Sequence, residues 1–402
     1  MTCWGLKHQK GCNEVTEKLF YEDSHMITFS AVVNACEKVG DYYEAVLDRT
    51  AFFPEGGGQY ADEGHIDGIK VLDAQERNGV IYHKVEKELS IGKQVEGTIN
   101  WEERFSKMQQ HSGEHIVSGL VNSIYGYDNV GFHMGKDAVT MDFNGILSKE
   151  QLKEIEKMAN EAVVKNLDIQ VLYPSKEELS EINYRSKIEI EGQVRIVIVP
   201  GYDTCACCAP HVKKTGEIGL IKLIGAQNYK GGVRVSMLCG FRAIADYEAK
   251  SENVKRISVL LSAKETEVAD EVARLKAELA THKGKVVEIQ QKMLRYKVNE
   301  LPENETLVVL FESDLSGDSP RELVNLLLAK GIEVGVVFAE VGMKQYRYVI
   351  GSKTIDVRPF AKMLNEKFAG RGGGKPEMVQ GSVSGDVDSI REAVKTCRKE
   401  MY

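Results

Sequence analysis

The sequence predicts a mixed α+β chain of several domains, on three observations. An N-terminal stretch alternates apolar and polar residues between short turns, as half-buried strands do. From Trp101 the apolar spacing turns helical, and between 250 and 300 it becomes a heptad stripe. After Pro302, strand-like and helix-like runs alternate. With 402 residues there is room for two to four domains, and the expected boundaries are 1–95, 96–249, 250–300 and 301–402.

Each element follows from its local pattern. TFSAVVNACEKVGDYYEAVLD is rich in β-branched and aromatic residues, and Asp67–Gly68 and Asn78–Gly79 are hairpin turns, so residues 1–95 predict a small β-barrel or sandwich. Within it lies FFPEGGGQYADEG, Phe52 to Gly64. In WEERFSKMQQHSGEHIVSGLVNSIYG, residues Phe105, Met108, Ile116, Leu120 and Ile124 mark one helix face. A second helix is expected at 148–166, capped by Ser148 ahead of Glu150 and Gln151. IQVLY, VRIVIVP, IGLIKLIG and VRVSMLCG read as strands, with a cysteine cluster between two of them. Val268, Val272, Leu275, Leu279, His282, Val286, Ile289, Met293 and Tyr296 recur at alternating four and three, which predicts a coiled coil or helical hairpin. His282 in that stripe, with Gly284 beside it, weakens the middle and allows a bend. Beyond Pro302, TLVVLFE, EVGVVFAE and YRYVIGS predict strands and SPRELVNLLLAKG a helix ending at Gly331. GRGGGKPEMVQGS follows at 370–382, then a closing amphipathic helix.

Composition narrows the function classes. Hydrophobic residues are 43% and charged residues 28%, the mix of a globular chain with a sizeable core. A net charge of -8 argues against non-specific coating of nucleic acid, so any RNA contact must come from local basic patches. No apolar run approaches the roughly 20 residues that span a bilayer. The start, MTCWGLKHQKGC, lacks the apolar core of a signal peptide, and a cytoplasmic, reducing setting is expected for the eight cysteines.

The most chemically specific runs are HSGEH and CCAPH. On a helix His111 and His115, four apart, share a face, and Cys207 and His211 repeat that spacing in a segment where a loop can turn both inward. Two imidazoles, a thiolate and a third imidazole form a donor set suited to zinc. A purely structural zinc more often uses several cysteines at CxxC spacing, so this set points to a metal that faces substrate. Cys208 competes with Cys207 as the sulfur donor; the matching spacing favours Cys207. HSGEH also fits H-x-x-E-H, the inverted zinc-peptidase signature, with Glu114 as general base. That chemistry needs a downstream carboxylate ligand, where this chain offers Cys207 and His211. Glu114 is otherwise a helix-surface residue, with water activation open to it.

Two glycine-rich runs carry weaker signals. Gly56, Gly57 and Gly58 let backbone approach a ligand closely or simply make a tight turn, and Gln59 and Asp62 beside them offer hydrogen bonds to a small polar substrate. Arg371, Gly372, Gly373, Gly374 and Lys375 form a surface loop or an anion nest for a phosphate backbone. No strand-GxxxxGK[ST]-helix context accompanies them, so a nucleotide P-loop is not expected.

In combination, HxxxH, a later CxxxH, an N-terminal GGGQ, a heptad segment and GRGGGKPEMVQG resemble the free-standing alanyl-tRNA editing hydrolases. The resemblance is to their long form, with the C-terminal domain found in alanyl-tRNA synthetases, and it runs from about Phe52 to Gly381. It implies a small β-barrel, an α+β editing domain, a helical coiled-coil linker and a compact α/β tail. It implies an aminoacyl-tRNA deacylase acting in trans on alanine-specific tRNA charged with serine, or with glycine. By motif, His111, His115, Cys207 and His211 would hold the zinc ion. Gly56 to Gly58 and Gln59 would shape the amino-acid pocket, with Gln59 and Glu114 the candidates for chemistry. The tail at Arg371 to Lys375 would hold tRNA or support a homodimer, formed through the linker or the C-terminal domain. Tyr60 stands where the family often has Pro, and CCAPH where it often has CGGTH. No aminoacylation module precedes the editing region, so tRNA charging is not expected. The competing readings are a zinc metallopeptidase and a non-catalytic tRNA-binding protein with a structural zinc.

Overall fold

A computed structural model describes residues 15–401 except 136, 187–191, 303, 304, 314 and 316. The N-terminal run read above for a leader lies outside them. The architecture is mixed α+β, in two compact units, residues 1–256 and 257–402. Among the described residues no helix is long and apolar enough to cross a membrane.

In the first unit six antiparallel strands close into a barrel: β1 (Thr28–Val39), β2 (Tyr42–Leu47), β3 (Gly64–Ile66), β4 (Ile69–Arg77), β5 (Val80–Val85) and β6 (Gln94–Ile99), in the order β1-β2-β5-β4-β3-β6. The two hairpin turns take the left-handed backbone that Asn, Asp and Gly tolerate, with φ of 47° and 75° at Asp67–Gly68 and 53° and 80° at Asn78–Gly79. Inside, Val33, Leu47, Ile66, Val71 and Ile81 are fully buried. The buried His83 bridges barrel elements: Nδ1–H donates to Ala45 O (3.1 Å) and Nε2 accepts from the Thr50 hydroxyl (2.9 Å).

Helix α1 (Trp101–Tyr125) leaves the barrel with Asn100 as its cap, the side chain accepting from the Glu103 N–H. Its central residues are buried all round, so its polar groups need internal partners. Gln110 exchanges two hydrogen bonds with the Cys239 backbone, at 2.8 and 2.7 Å. Next along are β7 (Asn129–Met134), β8 (Val139–Phe143) and α2 (Lys149–Lys165), the last opened by a full capping box of Ser148 and Gln151. β9 (Gln170–Leu172), β10 (Ile196–Val199) and β11 (Asp203–Ala206) form a three-stranded antiparallel sheet. β12 (Ile221–Tyr229) and β13 (Gly232–Cys239) complete a four-stranded sheet of order β12-β13-β8-β7, and α3 (Gly240–Leu261) follows. The glycines of α1 are contact points. A Cβ on Gly113 would stand 2.3 Å from Cys239 Sγ, and one on Gly119 2.2 Å from Tyr202 O. Nothing larger lets this helix sit so close to β11 and β13.

In the second unit the heptad stripe lies on one helix, α4 (Val268–Glu300), which is continuous across Gly284, where the sequence allows a bend. Leu294 and Val298 are buried, but Val272, Leu275, Leu279, Val286, Ile289, Met293 and Tyr296 are exposed. A five-stranded sheet follows: β14 (Leu307–Glu312), β15 (Val334–Gly342), β16 (Gln345–Ser352), β17 (Arg371–Lys375) and β18 (Met378–Ser384), ordered β14-β15-β16-β18-β17, with only the first pair parallel. Helix α5 (Ser319–Ala329) packs Leu323, Val324 and Leu327 onto one face; α6 (Arg358–Lys367) and α7 (Val387–Met401) pack Phe360, Leu364, Ile390 and Val394 onto the other.

The run Arg371–Lys375 is neither a surface loop nor an anion nest. It is an edge strand, with no positive φ at Gly372, Gly373 or Gly374. A nest needs alternating left- and right-handed backbone to aim successive N–H groups at one point, which a strand does not supply. The glycines serve packing: a Cβ on Gly372 would lie 2.3 Å from the Tyr348 hydroxyl, and one on Gly374 2.4 Å from Met378 O.

Candidate metal centre

One turn of α1 places His111 and His115 on the same face. The loop after β11 carries Cys207 and His211 to them. The donor atoms of these four residues lie within 4.8 Å of one another, and the three imidazoles are buried. Cys207 Sγ is 3.5 Å from His111 Nε2 and 3.4 Å from His211 Nε2. Cys208, the competing sulfur, is exposed and lies outside this group, against Gly57, where a Cβ would come within 3.1 Å of its Sγ.

Each imidazole is held by its other edge. His111 Nδ1–H donates to Gln59 Oε1 (3.1 Å), His115 Nδ1–H to Asp203 Oδ2 (2.9 Å) and His211 Nδ1–H to Ser112 Oγ (3.0 Å). With every Nδ1 committed to an oxygen, all three Nε2 edges are left to face the Cys207 sulfur, as metal-bound histidines require. The donor set and its tautomers fit zinc. Asp203 is itself clamped by Arg185, Nε to Oδ1 at 2.7 Å and Nη2 to Oδ2 at 2.9 Å.

The electrostatics agree with this wiring. Burial opposes charge on Cys207, but the imidazoles of His111 and His211 outweigh it and hold the thiol well below its ordinary range. Burial likewise disfavours a charged His115, yet the Asp203 carboxylate prevails and raises that imidazole well above its usual pKa, so a cation binding at Nε2 would displace a proton there. His211, with no carboxylate behind it, is pushed down by burial to about 3. A thiolate among imidazoles is the state a cation would meet.

The other expected site residues divide. Gly57 and Gly58 form a tight turn with φ of 60° and 80°, closed by paired backbone hydrogen bonds between Gly56 and Gln59, both 3.0 Å. The two glycines line a cavity of about 710 Å³ together with His111, His115, Cys207 and Phe132. A Cβ on Gly58 would stand 2.6 Å from the Phe132 ring, so glycine is what lets the turn close over it. Gln59 does not line this cavity; it stands behind His111, and its Nε2 is buried without a partner among the described residues. Asp62 is no substrate contact. It is buried, ion-paired with the buried Arg104, and accepts the Phe53 N–H at 2.6 Å, so it ties the glycine segment to α1. Nor is Glu114 on a helix surface: it is 1% exposed, accepts from Ser118 Oγ (2.7 Å) and Asn129 Nδ2 (2.6 Å), and lies 4.0 Å from His115 Nε2.

Several residues were missed. Ser112 stood inside HSGEH, and Asp203 and Arg185 stood near the cysteine run, but nothing in their spacing linked them to a histidine 88 or 99 positions away. Arg195 also lines the cavity. It donates from Nη1 to Cys207 O (2.8 Å) and Ala209 O (3.0 Å), lies over the Tyr21 ring, and keeps a buried Nε without a partner among the described residues.

Comparison with known proteins bears on this arrangement. Residues 5–103 match the family of class II (A) tRNA synthetases, residues 194–258 the threonyl and alanyl tRNA synthetase second additional domain, and residues 304–401 the DHHA1 domain. Cys207 and His211 fall inside the second of these matches and His111 and His115 between the first and the second, so the chain is similar to an editing module of the alanyl-tRNA synthetase kind. The alanyl-tRNA editing protein AlaX-L of Pyrococcus horikoshii is 25% identical over 396 residues, which cover 94% of this chain and 96% of that protein. The alanine–tRNA ligases of Pyrococcus furiosus and Methanococcus maripaludis (strain C7) are 30% and 28% identical over 94% of this chain, but it spans only 43% of their length. Over nearly its whole length the chain is similar to an alanyl-tRNA editing protein of the long form, with synthetase-type domains matched in the same order.

Proposed function

We propose that this chain hydrolyses the ester between a wrong amino acid and alanine-specific tRNA, with serine the preferred wrong amino acid and glycine the second. The observation that carries this reading is the set of three imidazoles, each tied at Nδ1, whose Nε2 edges meet the Cys207 sulfur on the wall of a cavity beside a bare glycine turn. His111, His115, Cys207 and His211 would hold zinc, which when bound supplies Lewis-acid chemistry to an ester or its attacking water.

The chain's own residues do the rest. The Gly57 and Gly58 N–H groups have no partner among the described residues, and the turn brings them to the cavity wall without a side chain in front. We assign them the serine hydroxyl. A site whose polar groups stay unpaired with alanine rejects it far more strongly than a difference in size would. Gln59 acts on specificity through His111, which it orients. Glu114, held by Ser118 and Asn129 and 4.0 Å from His115 Nε2, is the carboxylate beside the Nε2 edge of the cluster for moving a proton. The domain limits 1–95, 96–249, 250–300 and 301–402, a homodimer through α4 or the C-terminal domain, and tRNA binding by the Arg371–Lys375 segment belong to the same proposal.

The test is hydrolysis of serine-, glycine- and alanine-charged alanine tRNA, with and without a zinc chelator. Fast, chelator-sensitive release of serine with alanine spared supports the reading. Equal rates on serine and alanine defeat proofreading, and tRNA binding without hydrolysis leaves the structural-zinc alternative. The peptidase reading is disfavoured by the donor set, since a sulfur and an imidazole stand where it needs a carboxylate.

A further inference from the structure

We infer that the α5-facing side of the second unit's sheet holds a phosphate-binding site centred on Arg347, Ser382 and Arg371, with Arg321 above it. This names the surface for the tRNA contact proposed above and rests on that reading. Arg347 on β16 pairs directly with Ser382 on β18, and Ser382 with Arg371 on β17. Residues directly opposite in a ladder share a face. The three therefore form one row across three strands, two guanidinium-bearing residues about 10 Å apart at Cα with a hydroxyl between them. Val349, two residues along β16 and so on the same face, packs with Leu323 and Leu327 of α5. That fixes the row on the α5 side, just past the helix start.

Arg321, in the first turn of α5, completes the arrangement. Arg321, Arg347, Arg371, Ser382 and Gln380 line one cavity of about 410 Å³. Asp318 is the only acidic side chain on its wall among the described residues. None of the three guanidiniums makes an ion pair among the described residues, whereas most other arginines in the chain are paired or capped on a carbonyl. Three like charges gathered around a single carboxylate, in a chain of net charge -8, are a cost unless an anion joins them. Planar guanidiniums flanking a hydroxyl match the oxygens of a phosphate group. The edge strand supports this through Gly373, paired with Gln380 and so on the same face as the row, where no side chain stands beside the guanidiniums.

The ligand chemistry is a phosphate, and we assign it to the RNA backbone rather than to free phosphate or a mononucleotide. The test uses the full zinc-loaded chain and an uncharged alanine tRNA transcript, with affinity measured across a salt series. Arg347→Gln and Arg371→Gln should each weaken binding about three- to tenfold and lower the slope of log affinity against log salt by about one. Lys362→Gln, the same charge change on α6 across the sheet, should do less. Melting curves check that each surface variant is folded. An unchanged slope in the Arg347→Gln, Arg371→Gln double variant overturns the site, as does an equal loss from Lys362→Gln, which would signal a general field. Saturable binding of inorganic phosphate or AMP, lost in Arg347→Gln, overturns the RNA assignment. Failure of the editing reading is read separately, as absent release of serine from charged tRNA by the wild-type chain, whatever the transcript affinity.

Discussion

Asp203→Asn tests how the metal centre is wired. In the native chain Asp203 accepts three N–H groups, one from His115 and two from Arg185. Asparagine keeps the shape but has one acceptor oxygen and an NH₂ that repels a facing N–H. If the amide oxygen turns to Arg185, its NH₂ faces His115 Nδ1, and the imidazole must carry its proton on Nε2, where a metal would bind. If it turns to His115, Arg185 faces a donor. Loss of such a supporting contact lowers metal affinity about 10- to 100-fold, or roughly 1.4–2.7 kcal/mol. Removing one partner of a buried ion pair costs about 3–5 kcal/mol. Arg185 keeps 16% side-chain exposure, which puts the loss at the lower end, about 3 kcal/mol by the same rule. For a unit of this size that is roughly a 10 °C fall in melting temperature. Zinc affinity by chelator competition and calorimetric melting of the apo chain separate the two effects. A zinc affinity within twofold of wild type would refute the claim that Asp203 fixes the His115 tautomer, even if the melting temperature drops. Arg185→Gln, which leaves the His115–Asp203 hydrogen bond in place, should lose stability with the smaller loss of zinc.

Four other outcomes are expected. Cys207→Ser should abolish stoichiometric zinc while Cys208→Ser retains it, by elemental analysis; retained metal in Cys207→Ser would move the sulfur donor elsewhere. Asp62→Ala leaves Arg104 buried and unpaired and should cost about 3–5 kcal/mol in denaturant unfolding, with no direct loss of a zinc donor. His83 is pushed by burial to about 4 from an ordinary 6.5, so the folded barrel favours the neutral ring; the unfolded chain binds the extra proton, and stability present above pH 6.5 should fall between pH 6.5 and 4 by up to about 3 kcal/mol. Melting curves of His83→Asn should lack that component, and an unaltered pH dependence would show that other groups carry it. Leu275→Lys with Leu279→Lys should convert a dimer to monomers in light scattering if the exposed α4 stripe pairs between chains, and an unchanged mass removes α4 from the interface.

The sequence by itself carried most of what is local or periodic. Alternation and the Asp67–Gly68 and Asn78–Gly79 pairs placed the first strands, because side-chain period and left-handed backbone preference are properties of a few neighbouring residues. Ser148 and Gln151 announced their helix for the same reason, and the equal spacing in HSGEH and CCAPH singled out the four donors. Tertiary structure decided what those groups face. Glycine runs that look alike in sequence became a closed turn beside a cavity at Gly57–Gly58 and an edge strand at Gly372–Gly374, because cross-strand partners set backbone conformation there. Asp62 and Asp203 are both aspartates near a candidate motif, yet one is spent on Arg104 and the other aims a histidine. Partners 42 and 88 residues away determine that difference, and no local pattern records them. A buried polar group takes its role from whatever satisfies it, and that is settled only when distant segments pack together.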